Sequence, residues 1–348
     1  MVRAAVLLAE RSVGMEEVPD ARLPGPDGVV VTIEQAAICG SDLHLYHGDL
    51  GLERVQLGHE AVGLVAEVGA DVHTLSVGDR VLISGVIACG HCTSCWRGDP
   101  VGCRNGQTAV LGTTPELPGG QAEAIGVPGA DAFVTKVPDG IGVEDSVLLT
   151  DILPTGYLGA LRADITPGDT VVVVGLGPVG IMALECAGLF GPARILAVDV
   201  VPDRLARAAR LGAEPIDARD GGAVAAVAEA TAGRGAEAVI EAVGLDQTII
   251  DAISMTAVNG TVSVIGVNLN MALPFPMGFA FLRSITVRST IAAIPGTWGA
   301  LIPLLESGRL RPEGTFTHHL GLSEVGDAYA IFDERRDGVL KVLLDPRR

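Results

Sequence analysis

The sequence predicts an α/β protein with a β-rich first part followed by a doubly wound parallel sheet. Three observations predict it. Up to about residue 150, short alternating runs such as "GVVVTIEQAAI", "GLVAEVGADV" and "GDRVLISG" are separated by Gly- and Pro-containing turn signals, the pattern of short strands in partly barrel-like sheets. From about residue 153, strand-like and helix-like runs alternate, as in a parallel sheet covered by helices on both faces. Between them, residues 171–180 run from consecutive valines into Gly175-Leu-Gly177-Pro-Val-Gly180.

The bulk numbers agree with two domains. A chain of 348 residues exceeds the roughly 250–300 residues at which single hydrophobic cores stop growing. With 48% hydrophobic and 19% charged residues, it is globular in composition rather than disordered. The formal charge of −18 repels phosphate backbones and anionic lipid, so neither nucleic acid nor membrane is an expected partner.

The opening "MVRAAVLLAER" carries a six-residue apolar run ended by Glu10 and Arg11. That is shorter than a secretory core and reads as a first strand. The apolar stretch 171–190 is nearly long enough to span a bilayer, but Glu185 and the internal Gly-x-Gly-Pro make it strand, tight turn and helix. The chain is therefore expected to be cytoplasmic, where stable disulfides are uncommon.

Further on, "AEAVIEAVG", "GTVSVIGV" and "SITVRSTI" read as strands and "DQTIIDAISMTAV" as a helix. After about residue 293 come two helical stretches, "TWGALIPLLESGRL" and "LSEVGDAYAIFDER", and a closing strand, "GVLKVLLD". Cys186 falls inside the helix after the glycine turn and is expected in the core. His318 and His319 have no partners at metal-ligand spacing.

Four of the six cysteines crowd into "CGHCTSCWRGDPVGC", as Cys89, Cys92, Cys95 and Cys103. Thiols this close cannot all form disulfides without strained geometry. A thioredoxin-type pair would lead into a helix, which this Gly- and Pro-containing segment does not offer. Four thiolates closing a tetrahedral zinc site fit better, with the metal replacing a core that the segment lacks.

The glycine turn reads as a nucleotide site. Gly175, Gly177 and Gly180 let the backbone approach a pyrophosphate at a helix N-terminus, and Pro178 suits the first helical position. The next strand, "RILAVDV", ends on Asp199, about 20 residues on. Its carboxylate accepts from ribose hydroxyls and repels a 2′-phosphate, which selects NAD. Arg204 lies within reach of the ribose, so some use of the phosphorylated coenzyme stays open.

A second set of metal-type ligands is dispersed: Cys39 in "AAICGSDLH", His59 and Glu60 in "LGHEAVG", and Asp151 between an apolar run and the Gly-rich turn of "LLTDILPTGYLG". Singly, each has an ordinary packing or turn role; together they offer a thiolate, an imidazole and carboxylate, the donors of a catalytic zinc with one open position. In this order, with the thiol lobe between them, the segments resemble the zinc-dependent alcohol dehydrogenases of the medium-chain dehydrogenase/reductase superfamily, closest to the bacterial secondary-alcohol branch.

The resemblance runs through essentially the whole chain. It implies a GroES-like catalytic domain over 1–152 and 293–348, and a Rossmann coenzyme domain over 153–292. It implies that Cys39, His59 and Asp151 bind the catalytic zinc, with Glu60 either an alternating ligand or a carboxylate behind the ligands. Ser41 would bond the substrate oxygen and begin a proton relay ending at His44, while Asp42 would orient His59. Val179 would back the nicotinamide ring and Thr155 would lie near its face. Gly85, Ala293 and Ile294 are candidate pocket residues. The implied reaction is reversible, NAD-linked oxidation of a primary or secondary alcohol by a homodimer or homotetramer carrying two zinc ions per chain. Alternatives are a polyol or amino-alcohol dehydrogenase of the same superfamily, or a nucleotide-binding relative that lost the chemistry.

Overall fold

A computed structural model describes all residues, 1–348. It falls into two compact units, Met1–Pro154 with Ala292–Arg348, and Thr155–Ile291. The division falls inside the helix Ile152–Arg162, two residues beyond the expected boundary, because this helix runs unbroken through it. No helix is long and apolar enough to cross a membrane.

The first unit is built on a seven-stranded sheet. In spatial order its strands are Phe316–Gly321, Lys341–Asp345, Val29–Ile38, Glu60–Val68, Arg80–Ile83 and Val134–Lys136, with Ala124–Val127 also paired to Val29–Ile38. All pairs are antiparallel except the first. Val29, Val31, Ile33, Val65, Val81 and Ile83 are buried in one hydrophobic cluster. A second cluster gathers Ile38, Leu45, Tyr46, Tyr329, Val342 and Leu344.

Register then decides what meets at the sheet's end. Val342 pairs with Ile38, and Ala37 pairs with Glu60. Cys39 follows one strand, His59 precedes the next, and Lys341 opens the last. Three segments far apart in sequence therefore end at one place.

The second unit holds a six-stranded parallel sheet in the order Glu214–Asp217, Arg194–Asp199, Thr170–Val174, Ala236–Glu241, Thr256–Val264, Thr286–Ser289. This is the doubly wound order whose ligand crevice lies at the carboxyl ends of the central strands. Val171, Val172 and Val173 are fully buried, as a strand covered on both faces requires.

Three local expectations change. "LPTGYLG" is no turn: it lies within the helix Ile152–Arg162, and its glycines serve close packing. The run "TAV", expected to end a helix, opens the strand Thr256–Val264 instead, where pairing outweighs the helical pattern before it. His318 and His319 lie on the strand Phe316–Gly321, which the sequence pattern did not reveal.

Gly156 generates a test. A Cβ there would sit 2.6 Å from Ala183 N and 2.7 Å from Met182 C. Gly→Ala inside a helix ordinarily gains up to about 1 kcal/mol, but backbone atoms this close cannot give way. Gly156→Ala is expected to lose about 1–3 kcal/mol instead, read as a lower urea midpoint; a raised midpoint would refute the close-packing account.

Candidate metal centre and coenzyme site

Donor atoms of Cys39, His59, Glu60 and Asp151 all lie within 4.8 Å of one another. Asp151 Oδ2 is 3.4 Å from Cys39 Sγ and 3.4 Å from His59 Nε2. Sulfur at 2.3 Å and nitrogen or oxygen at about 2.1 Å from a tetrahedral zinc would be separated by about 3.4–3.6 Å. The donor set therefore fits that ion in spacing as well as in chemistry.

The electrostatics point the same way. Burial pushes the Cys39 thiol up to about 11, with Asp151 and Glu60 adding to it. Burial also raises Glu60, and Asp151 raises it further, against the pull of Lys341. For His59, burial works downward, yet Asp42, Cys39 and Asp151 hold it well above its usual range. Glu60 Oε2 is buried with no hydrogen-bond partner. Acidic donors packed this tightly are incompatible as simultaneous anions unless a cation joins them.

The surroundings hold these groups in place. Asp42 Oδ1 lies 3.0 Å from His59 Nδ1, ion-pair range though off the line of a straight hydrogen bond. Asp42 Oδ2 accepts from Cys39 N at 3.0 Å and from Gln121 Nε2 at 3.2 Å. Tyr329 in turn donates to Gln121 Oε1 at 2.9 Å. Glu60 Oε1 accepts from Lys341 Nζ at 2.8 Å, and both side chains are 0% exposed. Gly85 packs against His59: a Cβ there would lie 2.6 Å from His59 O. Ile294, another candidate pocket residue, is fully buried at the start of the helix Pro295–Glu306, and Ala293 beside it is half-buried.

Ser41 stands at the N-cap of the helix Asp42–Tyr46 but makes no side-chain cap. Its Oγ lies 3.2 Å from His59 Nε2 instead, the ring nitrogen that also faces Asp151. His44 is half-buried on the same helix, with Nδ1 2.8 Å from Asp49 Oδ2. Sequence reasoning missed Gln121, Tyr329, Lys341 and Asp49. Only Asp49, five residues from His44, was near enough in the chain to leave a local signal.

In the thiol lobe, the Sγ atoms of Cys89, Cys92, Cys95 and Cys103 also lie within 4.8 Å of one another. Cys95 Sγ is 3.7 Å from Cys89 Sγ and 3.5 Å from Cys92 Sγ, close to the ~3.8 Å edge of a tetrahedral zinc–thiolate site. No disulfide forms. Backbone N–H groups of Cys95 and Arg104 aim at Cys92 and lower its pKa to about 6, whereas burial and the neighbouring thiols push Cys95 up to about 12. The lobe is pinned to the C-terminal segment, where Gly296 N donates to Gly98 O at 3.0 Å.

In the second unit, Gly177 caps the helix Pro178–Gly188, with Pro178 at its start. Gly175 has a φ of +86°, and a Cβ on Gly180 would fall 1.8 Å from Gly175 O, so both positions require glycine. The N-terminal amides of this helix offer an anion cradle. Arg204 Nη1 reaches to 3.7 Å from where a Gly177 Cβ would lie. Asp199 Oδ2 accepts from Leu176 N at 2.6 Å, and Oδ1 from Val200 N at 2.7 Å and Val201 N at 2.8 Å. Three of its roughly four acceptor positions are thus taken by backbone, leaving one. Val179 and Thr155 are half-buried on their helices, and Cys186 is fully buried.

Comparison with known proteins agrees with this geometry. Residues 25–139 match the alcohol dehydrogenase GroES-like domain, and residues 178–307 match the zinc-binding dehydrogenase domain. A Mycobacterium tuberculosis protein named as a probable zinc-binding alcohol dehydrogenase is 46% identical over 99% of this chain and 89% of its own. The alcohol dehydrogenase TADH from Thermus sp. ATN1 superposes with a TM-score of 0.91 at 40% identity, covering 99% of each chain. A protein of zinc-binding dehydrogenase type from Sinorhizobium meliloti 1021, solved bound to NADP, gives 0.85 at 26% identity, again over 99% of each.

The buried Tyr329 hydroxyl supplies a test with a definite sign. Burial, with Asp42 adding, raises its pKa well above the ordinary value. A raised folded-state pKa gives stability that is complete below the unfolded value of about 10 and declines above it. Tyr329→Phe should cost about 0.5–1.5 kcal/mol at neutral pH. In urea unfolding, that deficit should shrink as pH rises beyond about 10; a pH-independent deficit would contradict the assignment.

Proposed function

Since the chain belongs to the zinc-dependent alcohol dehydrogenases of the medium-chain dehydrogenase/reductase superfamily, we propose that it catalyses reversible NAD-linked oxidation of a primary or secondary alcohol to an aldehyde or ketone. The observation that carries this reading is the buried group of Cys39, His59 and Asp151 with Ser41 Oγ beside His59 Nε2. A zinc ion held there would supply a Lewis acid that lowers the pKa of an alcohol hydroxyl. Ser41 Oγ, not engaged in capping its helix, takes the hydroxyl proton as it passes its own hydroxyl proton outward. His44 is the outward acceptor, with Nδ1 occupied by Asp49 so that Nε2 is the atom that takes the proton. Asp42, braced by Gln121, holds the His59 ring. NAD bound at the glycine turn would supply the hydride acceptor, and the chain's part is to orient the reactants and exclude water.

The thiol lobe is proposed to hold a second, structural zinc, giving two ions per chain. Asp199 supports NAD, since its remaining acceptor position suits a ribose hydroxyl and its charge opposes a 2′-phosphate. Arg204, near the glycine turn, favours some use of NADP as the second reading. Homo-oligomerisation is supported by the exposed Met277, Phe281 and Leu282 and by the outer position of the strand Thr286–Ser289, apolar surface and a sheet edge that call for cover.

Metal analysis is expected to find two zinc ions per chain. Cys39→Ala should keep one ion and lose activity by at least about 10³-fold, the weight of several kcal/mol of transition-state stabilisation. One ion in the parent protein with an active Cys39→Ala variant would refute the assignment. A separate kinetic comparison should give the higher kcat/KM with NAD; a preference for NADP would show that Arg204 outweighs Asp199.

A further inference from the structure

Lys341 is the one lysine or arginine buried beside the acidic donors, and nothing in the proposed reaction uses it. Its side chain is 0% exposed, and Nζ donates to Glu60 Oε1 at 2.8 Å and to Ile38 O at 3.1 Å. Its place is set by sheet register: the adjoining Val342 pairs with Ile38, so the ammonium cannot retreat to solvent. A lysine is rarely buried completely, and breaking such a pair leaves an uncompensated charge.

The other half of the pair matters more. Glu60 has one oxygen on Lys341 and the other, Oε2, buried with no partner among the donors of Cys39, His59 and Asp151. Ionised Cys39, Asp151 and Glu60 around a divalent ion leave one excess negative charge, which Lys341 cancels. Two cations therefore compete for one carboxylate.

We propose that Lys341 is a positioning residue that sets how strongly Glu60 binds the metal ion. By holding Oε1 and sharing the carboxylate's charge, it makes Glu60 a weak ligand that an incoming oxygen displaces. Without Lys341, Glu60 closes the fourth position. This rests on the reading of the cluster as a metal centre.

The test uses full-length protein with cobalt(II) in place of zinc and azide as the incoming ligand, followed by visible absorption. Beside the bands of the thiol lobe, the parent protein should show a cobalt–thiolate component that Cys39→Ala removes; the absence of that component would overturn the metal-centre reading and this inference with it. Given that component, Lys341→Met should weaken azide binding roughly 10–100-fold, the usual scale for residues that support metal ligands. Lys341→Gln, which keeps a neutral donor for Oε1, should fall between and covers the case in which the Met variant does not fold. Adding Glu60→Ala to either should restore azide affinity to the parent value. Azide binding unchanged or tightened in both lysine variants, or left weak after Glu60→Ala, would show that Lys341 only stabilises the fold.

Discussion

Like charges held close together out of water are the constraint on which the first unit turns. Cys39, Glu60 and Asp151 converge within 4.8 Å, with His59 among them. In so tight a buried set the three acidic groups are disfavoured as simultaneous anions, and a divalent cation would answer all of them at once. Asp42, Gln121 and Tyr329 brace the imidazole from one side, and Lys341 takes the remaining charge on the other. Ligands and supports together form a single electrostatic unit.

What assembles that unit is strand register. Pairing of Ala37 with Glu60 and of Val342 with Ile38 brings the ends of three strands together. A slip by one residue on any of them would turn every side chain to the opposite face, taking the ligands apart along with the core. Packing of Val31, Ile33 and Val65 on one face thus secures the geometry of the donors at the strand ends. The thiol lobe follows another logic, with its four donors in one short loop where a bound metal would stand in for strand pairing.

Legibility in the sequence follows the same division. Features whose partners are local were readable: the four thiols, and the glycine turn between a valine strand and a helix. The dispersed ligands were readable only through family resemblance, since Cys39 and Asp151 are separated by 112 positions. Gln121, Tyr329 and Lys341 left no signal, because a glutamine, a tyrosine or a lysine in an ordinary amphipathic run looks the same whether or not register carries it into the core. "LPTGYLG" was misread for a related reason. Gly156 signals a turn when no packing partner is known, and it becomes an asset to a helix only once Ala183 lies against it.

Crystal diffraction recorded on either side of the zinc absorption edge tests the central claim most directly. The account predicts two anomalous peaks per chain, one among Cys39, His59 and Asp151 and the other inside the four thiols. A peak in the thiol lobe alone, with Cys39, His59, Glu60 and Asp151 still converging around no ion, would contradict it.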